Sequence, residues 1–128
     1  MLGGMPSVRD VMKQAVLSVA PEDTIGEAAA KMTEADVGAV VVADFGRIIG
    51  ILTERDIMRA VARRTHSSVT RVREWMTPDP VTVESSVDAE EAARTMLDKG
   101  FRHLPVVDDG RPVGIVSLRD FARAAVQG

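Results

Sequence analysis

The chain contains 128 residues, of which 45% are hydrophobic and 27% are charged, and its formal net charge is −3. This composition is typical of a globular protein with a buried core, and the negative charge argues against nucleic-acid binding through bulk positive charge. The absence of cysteine excludes disulfides, thiol catalysis and thiolate metal sites, and the two histidines are too far apart in sequence to favour a dedicated zinc site.

The apolar runs of the sequence are short, as in residues 39–43, so no transmembrane helix is predicted. Residues 1–6 lack the charged start and the long apolar stretch of a signal peptide, and we therefore expect a cytoplasmic location. Asparagine is absent and glutamine is scarce. Because thermophilic proteins reduce both residue types, a thermophilic source is a further interpretation.

The chain contains two copies of one sequence unit, separated by 64 positions. Without a gap, this shift aligns Val8–Val61 with Val72–Ala125, and 18 of the 54 aligned pairs are identical. Such a repeat indicates two copies of one supersecondary unit. We therefore predict a first repeat at residues 8–64, a linker at 65–71 and a second repeat at 72–127.

In each copy, a short strand is predicted to precede an amphipathic helix. The strand lies near residues 17–19 in the first copy and near residues 81–83 in the second. The first of these helices opens with a capping box from Thr24 to Glu27, and residues 88–91 occupy the same place in the second copy. Apolar residues then recur at i, i+3, i+4 and i+7, which is the spacing of one buried helix face.

A β-hairpin and a second helix follow in each copy. Residues 39–43 and 48–52 are the strands of the first hairpin, and the turn of the second contains Asp109-Gly110, a pair suited to positive φ. The strands are almost continuously apolar, which predicts a sheet covered on both faces. The second helix begins at Thr53 or Ser117. The predicted fold is therefore α/β, of the α+β type, with two β-α-β-β-α repeats.

Three kinds of motif carry a family resemblance. They are the lead-in motifs Val8–Met12 and Val72–Met76, the strand Arg102–Asp108, and the strand-to-helix motifs Gly50–Asp56 and Gly114–Asp120. In this order and at this period, they resemble a tandem pair of cystathionine-β-synthase (CBS) domains. The resemblance implies that the repeats pack through their sheets around a pseudo-twofold axis, and that two such pairs associate as a homodimer. It also implies that adenosine-containing ligands bind in clefts between the repeats.

The strand-to-helix motif offers groups that suit a ribose and its phosphate. A helix N-terminus attracts an anion through its unpaired amides and its dipole, and Asp56 can accept two hydrogen bonds from a vicinal diol. The resemblance gives this ligand-binding role to Thr53 and Asp56, and to Ser117 and Asp120 in the second copy. The same spacing is also a helix cap that needs no ligand, and the two roles are compatible.

The two copies differ in the charges around this motif. Glu54 would repel a phosphate, whereas Leu118 at the same position of the second copy is neutral. The first copy has Gly38-Ala39, which leaves room for a flat base, where the second has the cationic Arg102-His103. The sequence therefore predicts two chemically different sites of unequal affinity.

The segments that lead into each repeat are expected to pass over the sites, as they do in CBS domains. Lys13 could contact a phosphate there, whereas Asp79 could not. Arginines on the first turn of the second helices could also bind phosphate, although such side chains commonly pair with neighbouring carboxylates. The candidate nucleotide-binding residues are Thr53, Asp56, Ser117, Asp120, Arg55, Arg119, Lys13, Val16, Gly38, Ala39, Arg102, His103, Pro105 and Thr77.

These observations favour a regulatory, non-catalytic module that binds an adenine nucleotide and signals to a separate effector protein. AMP is the preferred ligand, followed by ADP or ATP, and no resident cofactor or metal is expected. NAD and S-adenosylmethionine stay open as alternatives, because an aspartate that binds free ribose hydroxyls accepts them as well. A ligand-free dimerisation scaffold is the second interpretation.

An enzyme is disfavoured on the same sequence. Hydrolysis or phosphoryl transfer needs a positioned base, a nucleophile or a metal cluster. The sequence offers no carboxylate cluster with metal-ligand spacing, no glycine-rich phosphate loop and no Ser/His/Asp set that the repeats would bring together. Direct binding to DNA or to a membrane is not expected either.

Overall fold

The computed structural model describes residues 6–14 and 16–127, which form two compact units. Unit 1 combines the described residues before 17 with those from 81 onward, and unit 2 consists of Leu17–Pro80. Each unit contains helices and paired strands, so the predicted mixed α/β fold is confirmed. In chain order the elements are α1 (Val8–Val11), β1 (Ser18–Val19), α2 (Ile25–Ala35), β2 (Ala39–Asp44), β3 (Arg47–Thr53), α3 (Glu54–Ala62), α4 (Val72–Trp75), β4 (Thr77–Pro78), α5 (Ala89–Lys99), β5 (His103–Asp108), β6 (Arg111–Ser117) and α6 (Leu118–Gln127).

Unit 2 contains a four-stranded sheet in the order β1-β2-β3-β4. β1 runs parallel to β2, whereas β2 and β3 form the predicted antiparallel hairpin and β4 is antiparallel to β3. The hairpin turn places Phe45 and Gly46 at φ values of 52° and 77°. Two consecutive positive φ values are typical of the tight turn whose twist matches that of the strands.

Helix α2 buries one face against this sheet. The buried residues of the helix follow the predicted spacing, and they meet alternate residues of β2 and β3. Burial of apolar side chains is the dominant stabilising term for a unit of this size. The buried core of unit 2 consists of Val19, Ile25, Ala28, Met32, Val40, Val42, Leu52 and Val72.

The first long helix of the first copy begins with the predicted capping box, and that of the second copy begins with the bond to the Asp88 side chain alone. Thr24 Oγ1 accepts a hydrogen bond from the amide of Glu27 at 3.1 Å, and the Glu27 carboxylate accepts one from the amide of Thr24 at 2.9 Å. This bond from the Thr24 amide is the main reason that the pKa of Glu27 is lowered. In the second copy, Asp88 Oδ2 accepts from the amide of Glu91 at 3.1 Å, and Gly100 ends α5 at a φ of 73°.

Unit 1 repeats this arrangement with a shorter sheet. β5 and β6 form the antiparallel hairpin. Single bridges between Val83 and Val106, and between Lys13 and Ile115, stand at the positions that β1 and β4 occupy in unit 2. The buried core of unit 1 consists of Val8, Ala92, Met96, Leu104, Val106 and Val116.

The described parts of the lead-in segments, residues 8–14 with 16 and residues 72–80, are exchanged between the two sequence repeats. Val8 of the first copy is buried among second-copy residues in unit 1, and Val72 of the second copy is buried in the core of unit 2. The amide of Val8 donates to the carbonyl of Val87, and that of Val72 to the carbonyl of Asp23, both at 2.8 Å. Each compact unit therefore contains the body of one repeat and the lead-in segment of the other.

The strand predicted near residues 81–83 is reduced to the single bridge at Val83, and Pro105 gives the physical reason. In the first copy, the amide of Val41 donates to the carbonyl of Leu17 at 3.1 Å. Pro105 stands at the matching position of β5 and has no N–H to donate, so the corresponding bond to Val81 cannot form. The predicted strand near residues 81–83 was therefore too long, because only Val83 pairs with β5.

The linker at residues 65–71 folds onto the start of α2. The amide of Ile25 donates to the carbonyl of Thr70 at 2.9 Å, and the amide of Gly26 donates to the carbonyl of Ser67 at 2.8 Å. The first amides of a helix have no partner within the helix, and here the linker supplies two partners. The linker therefore stabilises the first turn of α2 in addition to joining the copies.

Candidate functional site

Thr53 and Asp56 form a reciprocal cap where β3 ends and α3 begins. The amide of Thr53 donates to Asp56 Oδ2 at 3.0 Å, and the amide of Asp56 donates to Thr53 Oγ1 at 3.2 Å. The Thr53 hydroxyl donates to the same Oδ2 at 3.1 Å. The capping role that the spacing predicts is therefore confirmed in unit 2.

Ser117 and Asp120 form the matching cap in unit 1. The amide of Ser117 donates to Asp120 Oδ2 at 2.8 Å, and the amide of Asp120 donates to Ser117 Oγ at 3.1 Å. The other carboxylate oxygen, Oδ1, lies 3.8 Å from Nη1 of Arg123, one helical turn along α6. Arg123 is a charged neighbour of this site that the sequence reasoning missed, although its i, i+3 spacing from Asp120 was a usable signal.

Both cap carboxylates are almost completely buried, with Asp56 5% exposed and Asp120 4% exposed. A buried carboxylate is stable only with hydrogen-bond partners, and the cap amides and the positive end of the helix dipole supply them. Because the cap occupies Oδ2, a sugar hydroxyl would have to bind at Oδ1 or replace the Thr53 hydroxyl as a donor. Few positions are therefore left at which a ligand can form a hydrogen bond with either carboxylate.

The residue at the start of each hairpin lies beside its cap. In unit 2 the amide of Glu54 donates to the carbonyl of Gly38 at 3.0 Å, and in unit 1 the amide of Leu118 donates to the carbonyl of Arg102 at 3.1 Å. From the sequence, we expect the first-turn amides to be available to an anion. This expectation needs correction, because the first and third amides of each helix are bonded within the protein. A phosphate at these helices therefore depends more on side-chain cations than the sequence indicated.

The other strand residues named as candidates lie close to the caps in register. Ala39 pairs with Thr53 across the first hairpin, and His103 pairs with Ser117 across the second. Ala39 and Pro105 are buried, whereas His103 is half-buried. The strand register therefore brings one small residue to the cap of unit 2 and one imidazole to the cap of unit 1.

Each lead-in segment lies along the outer strand of a hairpin. The amide of Lys13 donates to the carbonyl of Ile115 at 3.1 Å, and the amide of Ile115 donates back at 3.3 Å. Thr77 lies at the matching place in unit 2, on β4, and both Lys13 and Thr77 are exposed. Of the remaining residues of the predicted Lys13 segment, Val16 is half-buried and Ala15 lies outside the described residues.

The candidate residues therefore fall into two sets, one in each unit, and these sets do not coincide with the two sequence copies. Lys13 belongs to the first copy but lies in the unit that holds the second-copy cap. Arg55 and Arg119 are exposed on the first turns of α3 and α6. Unit 2 holds Gly38, Ala39, Thr53, Arg55, Asp56 and Thr77, and unit 1 holds Lys13, Val16, Arg102, His103, Pro105, Ser117, Arg119 and Asp120.

A family model for the CBS domain matches residues 8–63 and, a second time, residues 72–127. The chain belongs to the CBS domain family. The two matches confirm the tandem pair that the motifs predict, and they coincide closely with the two sequence copies.

Relatives from archaea and bacteria match this CBS pair over most of its length. A 17.7 kDa protein of Acidianus ambivalens is 42% identical over 119 residues, which are 91% of this chain and 71% of that protein. The CBS domain-containing protein YhcV of Bacillus subtilis is 38% identical over 118 residues, covering 92% of this chain and 84% of the relative.

Two solved CBS structures of similar fold contain adenosine derivatives. The CBS domain pair of protein MJ0100, in complex with 5′-methylthioadenosine and S-adenosyl-L-methionine, has a TM-score of 0.88 and 27% identity, with 97% of this chain and 98% of that chain covered. CBSX2 in complex with AMP has a TM-score of 0.79 and 31% identity, with 95% and 97% covered.

One polar cluster of this CBS pair escaped the sequence reasoning. Ser85 is 1% exposed; its amide donates to Asp108 Oδ1 at 3.0 Å and its hydroxyl to Asp108 Oδ2 at 2.6 Å. Nη2 of Arg9 donates to Ser85 Oγ at 2.9 Å. The cluster therefore joins the lead-in segment, through Arg9, to the hairpin of unit 1. A usable signal was that the first copy has Pro21 where the second has Ser85.

Within residues 6–14 and 16–127, no three or more His, Asp or Glu side chains are grouped so that they could hold a metal ion. In the same part of the chain, no helix has the length and hydropathy that a bilayer span requires.

Proposed function

We propose that this CBS pair is a regulatory module that binds an adenosine-containing nucleotide and passes its bound state to a separate effector protein. AMP is the ligand we favour, followed by ADP or ATP. The proposal is supported by the two similar CBS structures that hold AMP or adenosine-based sulfur compounds. It rests above all on one observation, the reciprocal cap with a buried aspartate at the start of the second helix in each unit.

The chemistry of this cap suits a nucleoside. A carboxylate oxygen accepts hydrogen bonds from the two neighbouring hydroxyls of a ribose. The free energy that these hydroxyls lose on leaving water is largely offset, because hydrogen bonds to a charged partner are strong. The cap also holds the carboxylate in one orientation before a ligand arrives, which lowers the entropic cost of binding. In this proposal Asp56 and Asp120 are ribose acceptors, and the bonds from Thr53 and Ser117 position them.

A binding module changes the behaviour of a partner only if the ligand binds two conformations with different affinity. We therefore propose that nucleotide binding alters the arrangement of the module that the effector protein recognises. The described part of the chain offers no group of residues that we assign to catalysis, so in this proposal the chain has no enzymatic activity of its own.

We further propose that the module works as a homodimer. Helices α3 and α6 carry exposed apolar side chains, including Met58, Val61 and Val126. Exposed apolar surface of this kind is often covered by a protein partner. Sedimentation analysis of wild-type protein should give a dimer mass, and Val61→Glu should shift that mass towards the monomer. A wild-type monomer at all concentrations would contradict the dimer.

The test of nucleotide binding is a thermal-shift panel of AMP, ADP, ATP, NAD and S-adenosylmethionine, with GMP as a control for the base. At a concentration of 100 Kd, a ligand that binds only the folded state stabilises it by about 2.7 kcal/mol. We expect AMP to raise the melting temperature and GMP to have a smaller effect. A panel without any shift would support the second candidate, a dimerisation scaffold with empty sites.

Aspartate variants separate a cap from a ribose acceptor. Asp56→Ala and Asp120→Ala should each lower the melting temperature, since each loses a cap contribution of about 1 kcal/mol, and at least one of them should reduce the response to AMP. Glu27→Ala is the matched control, because Glu27 forms the same reciprocal cap on α2, away from the candidate site. That variant should lose stability and keep the full AMP response. Equal AMP responses in all three variants would show that the aspartates only cap their helices.

A further inference from the structure

The two caps of this CBS pair differ in charge at matching positions. Beside the cap of unit 1, the amide of Leu118 donates to the backbone carbonyl of Arg102, whose exposed side chain is cationic. Beside the cap of unit 2, the same bond joins Glu54, which is exposed and anionic, to Gly38. The cap of unit 1 therefore has a positive charge at a position where unit 2 is neutral. The cap of unit 2 has a negative charge at a position where unit 1 is neutral.

The exchange of the lead-in segments increases this difference. It places Lys13, on the strand edge formed by Ile115, in the unit that already holds Arg102. Unit 2 receives in return the segment with the neutral Thr77 and the anionic Asp79. The amide of Asp79 donates to the carbonyl of Ile49, four residues before Thr53, and Asp79 so lies away from the cap. At the matched positions near the caps, unit 1 therefore has the cations Arg102 and Lys13 where unit 2 has neutral residues, and unit 2 has the anionic Glu54 where unit 1 has the neutral Leu118. The arginines on the first two turns of α3 and α6 are the same in both units.

The lead-in segment with Lys13 is joined to unit 1 by a partly buried side-chain cluster that its counterpart lacks. Arg9, four positions before Lys13, donates to the buried Ser85, which is in turn bonded twice to Asp108. In unit 2 the matching Arg73 instead pairs with Glu22, and both of these side chains are largely exposed. Exposed ion pairs contribute little to order, whereas a buried hydrogen-bonded cluster fixes the segment that contains it.

From this charge pattern we infer that the two units bind different classes of adenosine derivative. Unit 1 takes the phosphate-bearing nucleotide, and unit 2 takes a derivative without phosphate, either uncharged or cationic. The inference rests on the proposed function and makes it more specific. Because the first-turn amides are partly used by the protein itself, side-chain charge decides where a phosphate can bind.

Calorimetric titration of AMP and of adenosine into single-site variants tests this inference. Asp56→Ala leaves the site of unit 1, and there AMP should bind at least roughly tenfold more tightly than adenosine, as expected for charge-assisted hydrogen bonds. Asp120→Ala leaves the site of unit 2, and there adenosine should bind as tightly as AMP or more tightly. The opposite preference in the two variants would overturn the inference.

Surface substitutions give a test that does not depend on the caps. Arg102→Gln should weaken AMP binding by roughly tenfold and leave adenosine binding unchanged. Arg111→Gln is the matched control, because it removes the same charge from an exposed residue at the far end of β6. In the Asp120→Ala background, Glu54→Gln should strengthen AMP binding. An Arg102→Gln variant with unchanged AMP affinity would contradict the assignment.

NMR chemical shifts of the backbone amides of wild-type protein give a test that does not require any variant to fold. AMP should perturb the amide of Leu118 at lower concentration than that of Glu54, and adenosine should not show this order. Earlier perturbation of Glu54 by AMP would overturn the assignment of the phosphate while leaving the proposed function standing. Absence of binding by AMP, adenosine and S-adenosylmethionine alike would instead overturn the proposed function itself.

Discussion

Gly50 and Met76 lie so close together that a Cβ atom on residue 50 would stand 2.7 Å from Met76 Sδ. The same Cβ would stand 2.9 Å from the carbonyl oxygen of Thr77. Gly114 is related in the same way to Met12, with a distance of 2.7 Å to Sδ. In both units, therefore, the absence of a side chain on the outer hairpin strand allows a lead-in segment to lie against it.

We expect Gly50→Ala to destabilise the protein by about 1–3 kcal/mol, which is the usual cost of overpacking a close contact. Chemical denaturation followed by circular dichroism measures this loss. Gly50→Ala should cost less in a Met76→Ala background than in wild type, because the methionine clash is removed, but it should still cost stability because the backbone oxygen of Thr77 stays. A midpoint equal to that of wild type would contradict the close approach.

Phe45 occupies the hairpin turn at a φ of 52° and is 98% exposed. A bulky side chain is strained in this left-handed region, whereas asparagine tolerates it. Because the phenyl ring buries almost nothing, Phe45→Asn should stabilise unit 2 by about 1 kcal/mol and raise the melting temperature. Gly46→Ala, at a φ of 77°, is the control and should lower it. A lower melting temperature for Phe45→Asn would show that the ring contributes to the fold.

The hydrogen bonds from Ser85 hold the pKa of Asp108 below its ordinary value. A carboxyl group whose pKa is depressed in the folded state stabilises that state above its unfolded pKa, near 3.9, and the stabilisation is lost as the pH falls through the folded pKa. Ser85→Ala should therefore raise the pKa of Asp108 towards its ordinary value, as measured by NMR titration of the carboxyl carbon. It should also lower stability at pH 7 more than at pH 3.

The exposed neighbour Ser86 provides the control for this prediction. Ser86→Ala should leave both the pKa of Asp108 and the pH dependence of unfolding as they are in wild type. If Ser85→Ala also left the pKa of Asp108 unchanged, the short bond between the Ser85 hydroxyl and Asp108 would not be the cause of the shift.

Replacing Pro105 tests why the first strand of the second copy is so short. Pro105→Val supplies an N–H at the position where Val41 of the first copy donates to Leu17. The new amide at position 105 should bond to the carbonyl of Val81, and we expect it to exchange with deuterium as slowly as the hydrogen-bonded amide of Val41. Fast exchange at position 105 in the folded variant would show that proline does not limit this pairing.

The features that the sequence predicted well are local ones. The caps at Thr53 and Ser117 and the capping box at Thr24 each depend on residues within one helical turn. Their spacing alone therefore defines the hydrogen bonds, because few other conformations satisfy the same donors.

The features that the sequence did not predict depend on contacts between distant residues. The bridge from Lys13 to Ile115 and the bonds from Ser85 to Asp108 join segments that a repeat pattern does not distinguish from their own copies. The 64-residue period fits an exchanged and an unexchanged lead-in segment equally well. Only the packing of Val8 and Val72 decides between them.

The most direct test of ribose binding by the capped carboxylates is calorimetric titration of wild-type protein with AMP and with its 2′,3′-dideoxy analogue. The two compounds share base and phosphate and differ only in the ribose hydroxyls, which would donate hydrogen bonds to Asp56 and Asp120. We expect AMP to bind and the dideoxy compound to bind roughly tenfold more weakly or weaker still. Equal affinities for the two compounds, or no measurable heat from AMP, would contradict it.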